Sequence, residues 1–221
     1  RLRRKQPKQL AEVAEEAFKE EEANHVTLTT GTPSTRDRGA LMLAEAAKAI
    51  RERVEMPIHV QLQPPRDLKF LETLQDAGVD TVGLHIESFD QNILNSISPA
   101  KSNVREYFHA WHVAVKLFGE GQVSTFIIAG LGETDKSILT GAEMAAQMGV
   151  IPYLLPLRPT AGTHFEEVRP PTPNRMIKLY RSVSETLHRT GLDPSKNKAG
   201  CVRCGACSAL QEAFNSVNAL E

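Results

Sequence analysis

The chain has 221 residues, 41% of them apolar and 24% charged, with a formal net charge of −1. This suits one globular domain with a sizeable core, and the near-neutral balance leaves no global field to attract nucleic acid or an anionic membrane. No apolar run reaches the roughly 18 residues of a membrane span, no leader peptide opens the sequence, and three cysteines do not make a secreted disulfide scaffold, so the expected compartment is the cytoplasm.

Leu10, Val13, Ala14, Ala17 and Phe18 recur at three-and-four spacing, which predicts an amphipathic helix over 6–23. His25 to Thr30 is a β-branched strand stopped by Gly31-Thr32-Pro33. Helix returns over Arg38 to Val54, and Pro57 ends it before a strand from Ile58 to Gln63. A helix from Asp67 closes at Gly78. A strand over Thr81 to Ile86 and a Ser/Asp/Asn-rich loop with about one helical turn follow. Next come helix Val104 to Phe118, strand Gln122 to Ile128, helix Lys136 to Met148, strand Val150 to Leu157 and a long helix from Asn174 to Thr190. Five strands alternating with six helices predict βα units. Runs such as Phe126-Ile127-Ile128-Ala129 are apolar without alternation, as in a parallel sheet or barrel covered on both faces. In such folds chemistry gathers at the carboxyl ends of the strands.

Each of those ends carries polar or glycine residues. Thr29 to Thr32 offers hydroxyls and turn amides; Gln61 and Gln63 share one face, as do His85 and Glu87. Gly130 and Gly132 would let backbone approach a ligand, and Arg158 follows the fifth strand. Every one also has a plain structural explanation: the threonines as β formers, Gly130 to Glu133 as a helix-start turn, the glutamines on a solvated rim, His85 as a satisfied core histidine. His59, His109 and His112 read as ordinary surface or helix residues. The coincidence of all five ends favours one shared site.

All three cysteines fall late, as Cys201, Cys204 and Cys207 in Cys-Val-Arg-Cys-Gly-Ala-Cys. Two successive two-residue gaps suit an iron–sulfur cluster; zinc would need a fourth ligand, and reduced thiols or a regulatory disulfide are the alternatives.

In order, these segments resemble the radical S-adenosylmethionine (SAM) enzymes, within them the biotin-synthase-like branch. The resemblance covers about Gln6 to Cys207 and is carried by Ser124 to Thr134, with its Gly-Leu-Gly-Glu-Thr turn, and by Pro156 through Ala161-Gly162-Thr163. Narrower similarity links Leu28-Thr29-Thr30-Gly31-Thr32-Pro33, Gly-Gln-Val-Ser-Thr and the final Cys-x-x-Cys-Gly-Ala-Cys-Ser-Ala-Leu to one bacterial subgroup. The implied fold is a partial (β/α)6 TIM-like barrel lacking its first strand over 1–192, then a cysteine-rich segment with a short helix over 193–221. The resemblance implies SAM as cofactor, with Thr29, Thr30, Gly31 and Thr32 at its amino group, Glu87 at its ribose or amino-acid part, Arg105 at its carboxylate and Gly130 nearby. Gln61, Gln63, His85 and Arg158 would lie by substrate or the outer SAM rim. It further implies a [4Fe–4S] cluster that reduces SAM to a 5′-deoxyadenosyl radical, hydrogen abstraction from a small molecule, and an electron donor such as flavodoxin or ferredoxin. Cys201, Cys204 and Cys207 would hold an auxiliary [4Fe–4S] cluster, with zinc as the alternative.

One departure is large: the family's Cys-x3-Cys-x2-Cys loop is missing, since no cysteine precedes Cys201. The basic opening Arg1 to Lys5 resembles the tail of that loop, so the expectation is a truncated chain that does not cleave SAM by itself and whose exposed sheet edge favours a homodimer. Two rivals remain on sequence alone: a TIM-barrel lyase or aldolase-type enzyme with a terminal zinc knuckle, and a non-catalytic protein.

Overall fold

The structure, a computed structural model, describes residues 5–20 and 23–218; the opening Arg1 to Arg4 lies outside them. Helices α1 (Pro7–Lys19), α2 (Ala40–Arg51) and α3 (Lys69–Asp76) precede or separate strands β1 (Val26–Thr29), β2 (Ile58–Gln61) and β3 (Thr81–Gly83). After α4 (Gln91–Ile97) and α5 (Val104–Phe118) come β4 (Val123–Ala129), α6 (Asp135–Gln147), β5 (Val150–Pro156) and α7 (Pro173–Thr190). The chain ends through the four-residue α8 (Cys201–Cys204) and α9 (Leu210–Asn218).

All strands pair in parallel and in chain order, β1-β2-β3-β4-β5, as repeated βα units require. This is the expected partial barrel, with β1 at one edge. Core side chains from Leu28, Ile58, Val60, Val82, Leu71 and Trp111 pack in one apolar cluster, and those from Ile127, Leu154, Leu179 and Val183 in a second.

Two segments differ from the sequence expectation. The loop after the third strand contains a two-turn helix, α4, because the Asp90 carboxylate accepts from the amides of Asn92 and Ile93 and satisfies its first turn. The third strand stops early because side chains take over its ladder. The Phe126 amide donates to His85 Nδ1 at 3.2 Å, and the Ile86 amide to Thr125 Oγ1 at 3.1 Å. Backbone pairing resumes at Glu87, which donates to Phe126 O and accepts from Ile128 N.

Side chains two apart share a face of a strand. The register Thr27↔His59↔Thr81 and Thr29↔Gln61↔Gly83 therefore aligns these residues on one face, with Phe126 opposite Tyr153 further along. That face is covered by residues 196–208 of the same chain. The segment enters beside the amino ends of the strands, where Asn197 Nδ2 donates to Gly121 O at 2.7 Å and the Lys198 amide to Gln122 Oε1 at 3.1 Å. It crosses at Ala199, whose carbonyl accepts from Thr81 Oγ1 at 3.2 Å. It leaves where Ser208 Oγ donates to Leu154 O at 2.6 Å.

Gly200 makes the crossing possible. Its φ is 87°, and a Cβ there would lie 2.4 Å from Cγ of the His59 ring. Only glycine meets both conditions. Replacing Gly200 with Ala is expected to cost about 2 kcal/mol or more in denaturant unfolding, from backbone strain plus displacement of His59; an unchanged midpoint would show that the segment does not rest on that ring.

Candidate functional site

Beyond β1 and β2 lies an open cavity of about 140 Å³, lined by Thr29, Thr30, Thr32, Gln61, Leu62, Gln63, His85 and Lys101. A second cavity, about 400 Å³, runs along the free edge of β1 and shares Thr29, Thr30 and adjoining Gly31 with it. Beside the first, Glu87 is held at φ 73°, a left-handed conformation that a non-glycine residue adopts at a cost of order 1–3 kcal/mol. Its pairing with β4 fixes that backbone. The carboxylate meets Lys101 Nζ at 2.5 Å, and the same ammonium donates to His85 O at 3.2 Å.

Beneath this rim two histidines face each other across Gly83. His59 is 2% exposed, a core residue and not the surface or helix residue the sequence suggested. Its Nδ1 lies 2.7 Å from Thr81 Oγ1. Because that hydroxyl donates onward to Ala199 O, the neutral ring carries its proton on Nδ1 and bares Nε2. His85 is the opposite tautomer: its Nδ1 accepts from Phe126 N, so Nε2 carries the proton. Neither Nε2 has a partner among the described residues, so His85 is not a satisfied core histidine. A Cβ on Gly83 would be 2.6 Å from His85 Nε2 and 3.1 Å from His59 Nε2, so the glycine makes room for both rings.

Burial drives the pKa of His59 down to about 3, helped by His25, and holds that of His85 well below the usual histidine range, with His59 and Lys101 adding repulsion. Both rings are neutral at physiological pH. The unfolded chain binds their protons below about pH 6.5 and the folded chain does not, so stability is complete above that pH and falls as pH drops from 6.5 toward 3. The slope is up to about 1.4 kcal/mol per pH unit for each ring. Thermal melts between pH 7.5 and 5.5 should show this loss, and His59→Gln should flatten it by about half; parallel pH curves for the two proteins would contradict it.

The cysteine loop lies across the same face. Cys201 is half-buried and accepts from Gln61 Nε2 at 3.5 Å, whereas Cys204 and Cys207 are exposed. Burial pushes the Cys201 thiol up, partly offset by Gln61. Cys204 and Cys207 border an open cavity of about 510 Å³ together with Arg158, Tyr180 and Glu212. Among the described residues no three His, Cys, Asp or Glu side chains are positioned to hold a metal ion, so the convergence of three thiols expected from spacing alone is not present in this arrangement.

The structure thus brings together Thr29, Thr30, Thr32, Gln61, Gln63 and His85, with Gly31 and Glu87 adjoining. It does not bring Arg105 to them: that side chain is exposed on α5 and makes no ion pair or hydrogen bond among the described residues. The cation beside Glu87 is Lys101, which a sequence reading passes over because it sits in a polar loop after a 3-10 turn. Arg158 faces the cysteine cavity. Gly130 has a packing role, against Leu157 and Pro171, and its amide and that of Leu131 are held by the Glu133 carboxylate at 2.8 and 2.7 Å. Arg175 Nη2 pairs with the same buried carboxylate at 2.9 Å.

A parallel partial barrel with a polar crescent at its strand ends defines a class of enzyme scaffold, and the family model for the radical SAM superfamily matches residues 1–145. The chain belongs to that superfamily. It is 28% identical over 163 residues to the bacteriochlorophyllide c C-7(1)-hydroxylase of Chlorobaculum limnaeum, covering 69% of this chain and 40% of that protein. It is 26% identical over 178 residues to the biotin synthase of Persephonella marina, covering 78% and 50%. The chain therefore spans half or less of the length of these relatives. The fold is similar to that of methylornithine synthase, with a TM-score of 0.65 at 17% identity over 82% of this chain and 52% of that one.

The family implies SAM and a [4Fe–4S] cluster. The strand-end groups fit SAM. Three threonine hydroxyls and two carboxamides suit a ribose and an amino-acid moiety, the Glu87 and Lys101 charges suit its ammonium and carboxylate, and His85 lines the cavity with a buried Nε2 that lacks a partner among the described residues. No cysteine stands among them, so no residue of this site is assigned to the cluster.

Proposed function

We propose that this chain is the SAM-binding barrel of a radical SAM enzyme acting on a small molecule, with an auxiliary iron–sulfur site on Cys201, Cys204 and Cys207. The observation that carries the first part is the crescent of Thr29, Thr30, Gly31, Glu87 and Lys101 at the strand ends of a chain that belongs to this superfamily. SAM, when bound and reduced, supplies a 5′-deoxyadenosyl radical able to abstract hydrogen from substrate. The residues of this chain bind and orient. The threonine hydroxyls and turn amides hold polar atoms of the cofactor. Glu87, fixed in its left-handed conformation, presents a carboxylate whose direction does not depend on a ligand, and Lys101 offers the complementary charge. Gln61 and Gln63 line the same cavity and would stand by substrate or the outer rim of SAM, and Arg158 lines the cysteine cavity.

Titration calorimetry with SAM tests the first part. Glu87→Gln is expected to weaken binding about tenfold or more, the usual loss for a hydrogen bond to a charged group; Arg105→Ala, on the outside of α5, should leave it unchanged. Equal affinities for Glu87→Gln and wild type would place SAM elsewhere.

The auxiliary site is supported by cysteine spacing and by the loop's position, with Cys201 against Gln61 and the other two thiols bordering an open cavity. Three thiolates on one cluster would leave one iron open towards that cavity, a place for a substrate heteroatom. Anaerobic loading with iron and sulfide should give about four irons per chain with the EPR signal of a reduced [4Fe–4S] cluster, and Cys204→Ala should lose most of that iron. Zinc retained through purification with no iron uptake would make the loop structural.

A further inference from the structure

The two buried imidazoles are each fixed from outside the space between them: His85 stacks on Phe126 with ring centroids 3.5 Å apart, and the His59 ring lies against Gly200. Their Nε2 atoms converge, since the Cβ position of Gly83 is 2.6 Å from that of His85 and 3.1 Å from that of His59. Both atoms are buried, and neither has a partner among the described residues. A protein interior seldom leaves two such atoms together unsatisfied. The pair is also complementary. His85 Nδ1 accepts from the Phe126 amide, which leaves the proton on its Nε2. His59 Nδ1 is committed to Thr81 Oγ1, whose own proton goes to Ala199 O, which leaves His59 Nε2 with a lone pair. One nitrogen donates and the other accepts, toward the same small space.

We infer that His59 and His85 together bind one internal water molecule, which accepts from His85 Nε2–H and donates to His59 Nε2. A metal ion or an ammonium group would meet the proton on His85, and an anion would meet the lone pair on His59; a neutral hydroxyl satisfies both. Both nitrogens are shut off from solvent, so the hydroxyl is that of a retained water and not of a ligand passing through the strand-end cavity. With the water in place, donors and acceptors run in one sense from the Phe126 amide through His85, the water, His59 and Thr81 to the Ala199 carbonyl. This chain joins His85, in the wall of the strand-end cavity, to the segment that carries the cysteines. It requires neither SAM nor a metal at those cysteines.

The test is NMR of the ring nitrogens in the isotope-labelled, ligand-free chain at neutral pH, with each histidine assigned through its own ring carbons. The expected result is His59 protonated on Nδ1 and His85 on Nε2. The His85 Nε2–H should exchange with solvent about a hundredfold or more slowly than that of an exposed histidine, and show a direct Overhauser contact to a long-lived water. The opposite tautomer in either ring, or a mixture, removes the complementary pair and overturns the inference. A nitrogen–nitrogen coupling across a hydrogen bond between the two Nε2 atoms shows that the rings bond directly, with no water between them, and overturns it. A His85 Nε2–H that exchanges too fast to observe, or that makes no contact with water, overturns it as well. Because no ligand is present, each of these failures leaves the SAM-binding reading untouched.

Discussion

The contact between the His59 ring and Gly200 fixes how the barrel is filled. A parallel sheet buries both faces, and here one of them is covered by residues 196–208, irregular chain apart from the four-residue α8. Such a segment must satisfy its own backbone groups in a dry environment. Its Ala199 carbonyl accepts from Thr81 Oγ1 and its Lys198 amide donates to Gln122 Oε1, while the side chains of Asn197 and Ser208 tie it to Gly121 O and Leu154 O. With those anchors set, the approach distance at Gly200 decides where the cysteines fall.

That arrangement gives the interior its chemistry. The polar groups facing inward are mostly neutral: two imidazoles in opposite tautomers, two carboxamides, threonine hydroxyls and a phenol. Charged groups stand at the rim, where Glu87 and Lys101 neutralise each other, and at the other cavity, which Arg158 and Glu212 line. A low-dielectric interior lined this way strengthens each directed hydrogen bond while avoiding the cost of unpaired buried charge.

Gln61 joins the two halves of the site. It lines the strand-end cavity and its amide also donates to Cys201 Sγ, so a change at the cysteine loop alters a group that faces the cavity. Glu87 serves the rim in a comparable way: the resumed pairing with β4 holds a strained backbone, and the strain aims a carboxylate. Gln61 is the last paired residue of β2 and Glu87 lies beyond the end of β3, where side chains and loops take over the hydrogen bonding.

Much of this was legible in the sequence because it depends on local pattern. Helix and strand order follow from hydrophobic period and from glycine and proline stops, and α5, Val104–Phe118, falls on its predicted bounds. The strand-end threonines and glutamines were visible as polar residues closing apolar runs. Their gathering into one crescent follows from parallel connectivity, which places every carboxyl end on the same side. What the tertiary structure decided is what depends on contact between segments far apart in the chain. Lys101, and not Arg105, reaches Glu87 because a capped helix and a 3-10 turn swing it there. His59 is buried because residues 196–208 cross its sheet face, with Gly200 making room for the ring. Spacing drew Cys201, Cys204 and Cys207 together as one ligand set, but folding puts the first against Gln61 and the others at an open cavity. Sequence encodes which residues recur along the chain; only packing determines which polar atoms are left buried and unpartnered.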